Sequence, residues 1–582
     1  MVNRKNPSRF LIPAAILIVT ALLYLPTLKF PFVYDDLRQI ELSQSRFTWD
    51  SVPGYFTQDV WSYTERQTGN YYRPIFLVWL LLNFQAYGLS HPLWHATTLG
   101  MHLLATLLVF FLARRITGDR VVAAAAALLF GVHPVHVESV AWISGVTDPL
   151  LAVLFLGALV CYLRAREAAA PRQAFRWRSG SIALFALAVF SKEAAIVLPA
   201  LVAIHAWLFP LQPAESRNQR IREALLASLP YLQVTLVYLG MRYIALGGRL
   251  SVRSGQWPIL VMLYTWPKVA WFYLRQLLWP TRLSVFHSLM PVLQPRRAVF
   301  LLGAIMAGAA AWWLLKIARR RPRFGFLLAL AALPLLPAFA LSAFSTTDFV
   351  HDRYLYLPSA GFLILIVFGS WRALQRWPAS RAKAVVLAAA LLAVSAALGF
   401  VTLRDSQYWR SGETLASRSL ELYPGNAMAS ELRAGSLYME GRCAETLPAQ
   451  RRLIEQFPQD YNLQARIGTC FMQLGNWSEA ASHFRSFVEL QPGDPRAYLV
   501  LGTAETQLGE LEPAEAHIRQ ALRMRPRASV QYALYHYFLG TVLERKGDLR
   551  GALAEYDAEL DENPTFEGLF DRTLAIRRKL GQ

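Results

Sequence analysis

About eleven apolar stretches, most of them near the length a helix needs to cross a bilayer, limit what this chain can fold into more than any other feature. They lie near 11–28, 93–113, 119–133, 148–163, 180–191, 194–209, 225–246, 298–316, 324–344, 355–371 and 383–402. Alternate connections carry Lys or Arg: Arg114–Arg120, Arg164–Arg178, Leu211–Arg222, Lys316–Arg323 and Arg372–Lys383. Basic loops stay in the cytoplasm, so these connections, with Arg4, Lys5 and Arg9, predict a cytoplasmic N-terminus. No Ala-x-Ala cleavage signal follows the first stretch, which is expected to remain as an anchor. The apolar segments 75–90 and 257–279 are expected on the outer surface or re-entrant, because making either a full span reverses every later basic loop.

Composition narrows the class further. Of 582 residues 54% are hydrophobic, which excludes an ordinary soluble protein. The net charge of +20 is unevenly placed: residues 403–582 carry 21 Lys+Arg against 24 Asp+Glu, and residues 1–402 carry 38 against 15. The basic excess therefore belongs to the membrane part, where it sets orientation, and is not a nucleic-acid footprint. Three cysteines, Cys161, Cys443 and Cys470, form no Cys-x-x-Cys motif, which speaks against a zinc or thioredoxin-like site. A Cys443–Cys470 disulfide stays open, since sequence does not give their geometry.

With this topology the ionisable groups at span ends collect on the outer side. They are Asp35-Asp36, Tyr72-Arg73-Pro74, His133-Pro134-Val135-His136-Val137-Glu138, Asp148, Ser191-Lys192-Glu193 and His351-Asp352-Arg353-Tyr354. Charges at such depth are costly unless paired or solvated, so a shared outer cavity is expected. Each has a plainer alternative. Lys192-Glu193 can be a mutual ion pair holding a hairpin, Arg242 can snorkel at a span end, and Asp148 can cap a helix.

After the last span a 34-residue period appears, in windows Ala427–Asp460, Tyr461–Asp494, Pro495–Ala528 and Ala533–Phe566. Gly468, Gly502 and Gly540 fall at the eighth place, Ala480, Ala514 and Ala552 at the twentieth, and Phe484, Ile518 and Tyr556 at the twenty-fourth. Pro458, Pro492, Pro526 and Pro564 mark the turns. The first window departs, with Ala434 and Thr446 at its small positions, and a half unit, Glu413–Pro424, precedes it. This is the period of tetratricopeptide repeats, whose groove takes peptides or protein partners. Asn476-Trp477-Ser478 matches a glycosylation acceptor but sits in the turn between two helices.

The stretches Asp35-Asp36, Tyr72-Arg73-Pro74, Leu129 to Val140, Ser191-Lys192-Glu193 and Arg353 to Phe362 resemble, in the same order, the transmembrane and tetratricopeptide-repeat-containing O-mannosyltransferases, and more broadly the GT-C class. The resemblance covers most of residues 30–365. It implies an all-α fold: a polytopic GT-C-like transmembrane helical domain over 1–402, a connector and partial repeat over 403–426, and an extracytoplasmic tetratricopeptide-repeat α-solenoid over 427–582. It also implies a glycosyltransferase that moves mannose or another hexose from a polyprenyl-phosphate-linked donor to Ser/Thr of an acceptor polypeptide recruited by the repeats. The repeat array is shorter than in the family's animal members. The Ala- and Arg-rich composition looks bacterial, which points to the inner membrane, with site and repeats in the periplasm among membrane lipids.

By that resemblance Asp35 or Asp36 is the general base, taking the proton of a hydroxyl that is otherwise a poor nucleophile. The pair can also ligate a divalent metal, but the resemblance favours none, and no cofactor is expected. The leaving lipid phosphate needs fixed cations, with Arg353 first, then Lys192, Arg73 and Arg242. His133, His136, Glu138, Glu193 and Tyr354 are expected around the sugar. For His133, His136 and Glu138 a hydrogen-bonded network, a metal set and a structural role all stay open. Two other functions remain: glycosylation of an envelope lipid or polysaccharide, and a non-catalytic envelope scaffold.

Overall fold

The structure is a computed structural model that describes residues 8–63, 69–211, 216–249, 257–294, 316–378, 380–524, 534–563 and 568–581, with single positions between 305 and 314. The described residues form helices and turns, with no strand. They divide into two compact units, Met1–Asn426 and Ala427–Gln582.

In the first unit the helices relevant to the site are α1 (Ser8–Tyr24), α2 (Pro74–Tyr87), α3 (His91–Thr117), α4 (Arg120–Val132), α5 (Val137–Ala141), α6 (Thr147–Glu167), α7 (Pro171–Ser191), α8 (Leu198–Leu208), α9 (Arg217–Ala245), α10 (Ile259–Leu278), α11 (Pro322–Ala332), α12 (Tyr356–Leu374), α13 (Arg381–Ser406) and α14 (Gly412–Leu422). Among the described residues seven helices are long and apolar enough to cross a membrane, and an eighth results if α4 and the Pro134–Ala141 segment count as one span bent by 51°. The protein is thus an integral membrane protein, with fewer regular spans among the described residues than the eleven expected. The reasons are local. Pro134 ends α4 after thirteen residues, since proline has no N–H to donate and clashes with the preceding turn. The expected span 194–209 is divided into a 3-10 stretch, Glu193–Val197, and the eleven-residue α8 that begins at Leu198-Pro199. The expected span 298–316 lies largely outside the described residues.

Small residues bring these helices close. Gly118 adopts a left-handed φ of 76° and ends α3. Asp119 then caps α4 by accepting from the Val121 and Val122 amides at 2.7 and 3.2 Å. The hairpin so made carries an alanine-rich α4 whose Gly131 lies against Thr20 and Thr106. In α12, Gly361 lies against the backbone of Leu330 and Ala331, so the glycine in Tyr356-Leu357-Pro358-Ser359-Ala360-Gly361 is a contact point between α11 and α12.

The second unit pairs α15 (Ala427–Met439) with α16 (Cys443–Gln456), α17 (Tyr461–Gln473) with α18 (Trp477–Leu490), α19 (Pro495–Leu508) with α20 (Leu511–Met524) and α21 (Tyr535–Lys546) with α22 (Leu549–Glu562), ending on α23 (Leu569–Lys579). A Cβ on Gly468, Gly502 or Gly540 would meet Phe484, Ile518 or Tyr556 at 2.5–2.6 Å. The eighth and twenty-fourth positions thus fill each other in three successive repeats. In the irregular first repeat Thr446 donates to the Ala434 carbonyl at 2.9 Å, a hydrogen bond where the others use close apolar contact. Cys443 and Cys470 are joined as a disulfide between α16 and α17. Pro526 and Pro564 lie outside the described residues.

Candidate active site

The loop after α1 is held in an unusual conformation. Tyr34 has φ 58°, one of two non-glycine residues with positive φ among those described, a conformation that costs about 1–3 kcal/mol and persists only where its surroundings enforce it. Its ring is fixed between Trp142 and Phe286, with centroids 5.6 and 5.7 Å away. The turn folds the Asp36 carboxylate back, so that one oxygen accepts from the Val33 amide at 3.3 Å. The other accepts from the Ser144 amide and hydroxyl at 2.8 and 2.5 Å. Asp36 is fully buried, and burial pushes its carboxyl up to about 7, although the Ser144 and Val33 hydrogen bonds act the other way. Asp35 is half-buried beside it. Two adjacent acids therefore occupy different environments: Asp36 ties the loop to the segment after α5, and Asp35 keeps partial access to solvent.

That segment exists because α4 stops at His133-Pro134. Glu138, in α5, accepts from the Arg353 amide at 3.0 Å and pairs with the Arg353 guanidinium. Arg353 also lies over the rings of Trp142 and Tyr354, at 5.6 and 5.3 Å. Its charge is thus balanced by Glu138 and its position fixed by two rings.

A cavity of about 350 Å³ opens beside this cluster. Its charged wall contains Asp148, Lys192, Glu193 and Arg242, and its apolar wall includes Leu151, Ile196, Leu239, Pro334 and Leu357. Lys192 donates to Asp148 at 2.6 Å. Glu193 takes a two-point contact from Arg73, at 2.9 and 2.5 Å. Arg242 donates to the Asn70 carbonyl at 2.8 Å and the Tyr238 hydroxyl at 3.3 Å. Tyr354 lines the cavity with its ring 5.7 Å from the Lys192 ammonium. Lys192 and Arg242 face Asp148 and Glu193 beside apolar surface, and with Arg73, which holds Glu193 from outside the lining, the cluster has three cations to two carboxylates, a setting that suits an anion with a hydrocarbon tail.

The structure decides several open readings. Lys192 and Glu193 do not pair with each other; each reaches a different partner, because the chain leaves α7 with Lys192 in extended conformation, φ −157°, before the next turn starts. Arg242 is buried in the cavity wall and does not snorkel. Asp148 forms the buried ion pair and makes no cap hydrogen bond. His133 and His136 are fully buried and do not line the cavity. His133 reaches the Leu277 carbonyl at 3.1 Å and His136 reaches Ser359 at 2.8 Å. With Glu138 on Arg353, the three point to three separate partners.

Other residues of the site escaped the sequence reading. Ser144 holds Asp36, and Gly145 leaves room for the Glu138 carbonyl, which a Cβ would approach to 2.7 Å. The string Trp142-Ile143-Ser144-Gly145 lies a few residues after the His-Pro motif, and that proximity was the available signal. Asp348 lies 3.6 Å from His351, and burial pushes it up to about 6 against the pull of Arg353 and His287. Asp352 accepts from Gln276, the Ser284 amide and His287 at 2.7, 3.0 and 3.1 Å, fastening the segment after α10 to the start of α12.

These features define a polytopic membrane protein with a charged, partly apolar cavity and a tetratricopeptide-repeat unit. Known proteins share both parts. Residues 90–241 match the family model described as dolichyl-phosphate-mannose-protein mannosyltransferase, and residues 466–529 and 514–565 match that of the tetratricopeptide repeat. The human protein O-mannosyl-transferase TMTC1 is 25% identical over 468 residues, which cover 72% of this chain and 52% of the relative. Protein O-mannosyl-transferase Tmtc1 of Drosophila melanogaster is 34% identical over 144 residues, 24% of this chain and 17% of the relative. The chain is related in sequence to these O-mannosyl-transferases, as its motifs indicate, and spans about half the length of the curated relatives that it matches over most of its own. Among solved structures, ArnT from Cupriavidus metallidurans bound to undecaprenyl phosphate is similar with TM-score 0.37 and 16% identity, covering 91% of this chain and 84% of that one. MamA is similar with TM-score 0.24 and 20% identity, covering 25% and 84%.

Proposed function

We propose that this protein is a GT-C-type glycosyltransferase that moves one sugar from a polyprenyl-phosphate carrier to a Ser or Thr hydroxyl of a polypeptide held by its repeats. The observation that carries the reading is the cavity in which Lys192 and Arg242 meet apolar surface and which Tyr354 lines, joined to the loop of Asp35 through Arg353, Trp142 and Tyr34. Relatives named protein O-mannosyl-transferases support mannose as the sugar.

In the reaction the acceptor oxygen forms a bond to the anomeric carbon as the bond from that carbon to the phosphate oxygen breaks. The acceptor proton passes to Asp35, and the lipid phosphate leaves with the electron pair. Asp36 holds the loop through Ser144 while Asp35 takes the proton. Lys192 and Arg242 meet the charge growing on the phosphate, and the apolar wall takes the first prenyl units. Arg353, balanced by Glu138, orients Tyr354 and Trp142 around the sugar. Arg73 keeps Glu193 in place. The disulfide and the basic connections support a bacterial inner-membrane protein with its site and repeats on the periplasmic side.

The test is glycoproteomics of the cell envelope, comparing wild type with Asp35→Asn at equal expression. Loss of one defined sugar mass from Ser/Thr peptides is expected and identifies the sugar. Unchanged glycopeptides would exclude a protein acceptor and turn attention to envelope lipids and polysaccharides.

A further inference from the structure

A second cavity, about 1190 Å³, lies far from the charged centre. It is built where α11 begins and α12 ends. Arg353 and Tyr354 stand at the other end of α12. From Tyr354, in the 3-10 turn that leads into α12, to Arg372 the chain rises about 27 Å, close to the thickness of a hydrocarbon core. The two cavities therefore open toward opposite faces of the membrane.

Their electrostatics differ as well. Five arginines line the second cavity: Arg320, Arg321 and Arg323 around the start of α11, and Arg372 and Arg376 at the end of α12. Among the described residues no Asp or Glu lines it. None of the five is in an ion pair among the described residues. Arg323 donates to the Thr117 carbonyl at 3.3 Å, while Arg321 and Arg372 lie over Phe324 and Phe368 at 5.9 and 5.4 Å. All five are exposed. The rest of the lining is mostly apolar and includes Trp313, Leu328, Leu365 and Ile366, of which Trp313 is 58% and Ile366 46% exposed. In the first cavity carboxylates offset most of the cationic charge; here no carboxylate among the described residues does so, next to hydrocarbon-compatible surface.

The geometry points to a binding site for an anionic phospholipid, its phosphate on Arg320, Arg372 and Arg376 and its acyl chains along Trp313 and Ile366. Charge chooses the occupant: a zwitterionic lipid brings its own cation into the arginine cluster, and an acidic peptide offers no chains for the apolar wall. A basic pocket between helices on the basic-loop side is the setting in which anionic headgroups are recognised. The volume exceeds the upper limit of about 1,000 Å³ usual for small-molecule pockets and suits a whole headgroup with the upper parts of two chains. The site is independent of the proposed transfer reaction.

Native mass spectrometry of the delipidated full chain, titrated with phosphatidylglycerol or phosphatidylcholine of matched chains, tests this. Phosphatidylglycerol is expected to be retained and phosphatidylcholine lost. Arg320→Gln/Arg372→Gln/Arg376→Gln should weaken retention at least about 10-fold. The corresponding Lys variants should keep most of it. Arg217→Gln/Arg220→Gln/Arg222→Gln, on another exposed basic segment, should leave it unchanged. Unfolding temperatures in lipid-free detergent check the fold, and single Arg320→Gln and Arg376→Gln variants carry the comparison if the triple variant is unstable. Equal retention of the two lipids, or an equal loss in the control triple, would overturn the assignment. So would tighter binding of undecaprenyl phosphate at the same arginines, which would make this a second carrier site.

Discussion

Asp36 takes both the amide and the hydroxyl of Ser144, 108 residues further along the chain, on a single carboxylate oxygen. This contact closes the first loop onto the segment after α5 and separates the roles of two adjacent aspartates. Asp35→Asn is expected to lower transfer by about 10²–10⁴-fold with an unchanged unfolding temperature, the effect of removing a general base. Asp36→Ala leaves the Ser144 and Val33 amides without their acceptor and should destabilise the protein by about 1–3 kcal/mol. Transfer assays beside thermal unfolding of both variants distinguish the roles, and equal loss of activity with equal loss of stability would sink the division.

The same aspartate sets a pH dependence. Its carboxyl sits at about 7 in the folded protein, raised from 3.8. Between these values the native state holds a proton that the unfolded chain has lost, so stability falls as pH rises from about 4 to about 7 and then levels. Asp36→Asn should remove the part of this slope between about pH 6 and 7, leaving that of Asp348 below it, and Ser144→Ala should extend the slope upward by deleting a hydrogen bond to the ionised form. Unfolding temperatures in detergent from pH 4.5 to 8 provide the check.

Glu138 and Arg353, with side chains 5% and 15% exposed, form a pair across 215 residues. Removing one partner strands the other charge in a buried site, so Glu138→Gln and Arg353→Gln should each cost about 3–5 kcal/mol. The double variant should lose less than their sum. A double-mutant cycle by chemical unfolding measures the coupling, and additive losses would show that the pair is not a unit.

Gly361→Ala places a Cβ 2.6 Å from the Leu330 carbonyl carbon, against backbone that has little room to move. Overpacking of this kind costs about 1–3 kcal/mol or more. Gly369→Ala, in the same helix with its nearest neighbour at 3.5 Å, should be neutral. Expression and unfolding temperature of the two variants separate a contact glycine from an incidental one.

In the repeat unit the Cys443–Cys470 disulfide closes a loop with a sequence separation of 27. Chain-entropy arguments give such a loop about 3–4 kcal/mol of stabilisation. Urea unfolding of the full chain with and without a reductant, followed by proteolysis of the repeats, should show that loss in the C-terminal unit alone.

The repeats were the most legible part of the chain. Contacts between helix pairs recur at fixed spacing, so Gly468, Gly502 and Gly540 announce their partners Phe484, Ile518 and Tyr556 by position alone. The apolar stretches and basic loops gave the membrane class for a similar reason, since solvent acts on composition directly. Irregularity was less visible, because a proline in an apolar stretch can end a helix, as Pro134 ends α4, or be carried within it, as Pro230 and Pro267 are in α9 and α10.

For the site, sequence supplied the cast but not the pairing. Asp36, Glu138, Asp148, Lys192, Glu193, Arg242 and Arg353 all stand out as ionisable groups at span ends. Which carboxylate meets which cation is a matter of distances between segments up to 215 residues apart. Lys192 and Glu193, neighbours in the chain, turn to different partners, and Ser144, an unremarked hydroxyl, fixes the environment of Asp36. The sequence by itself determined the membrane class, the repeats and the list of polar groups, because hydropathy and period are local properties. Only the tertiary structure decided which charges are neutralised and which face a cavity, because electrostatic energy depends on separation in space and on burial, and neither is written along the chain.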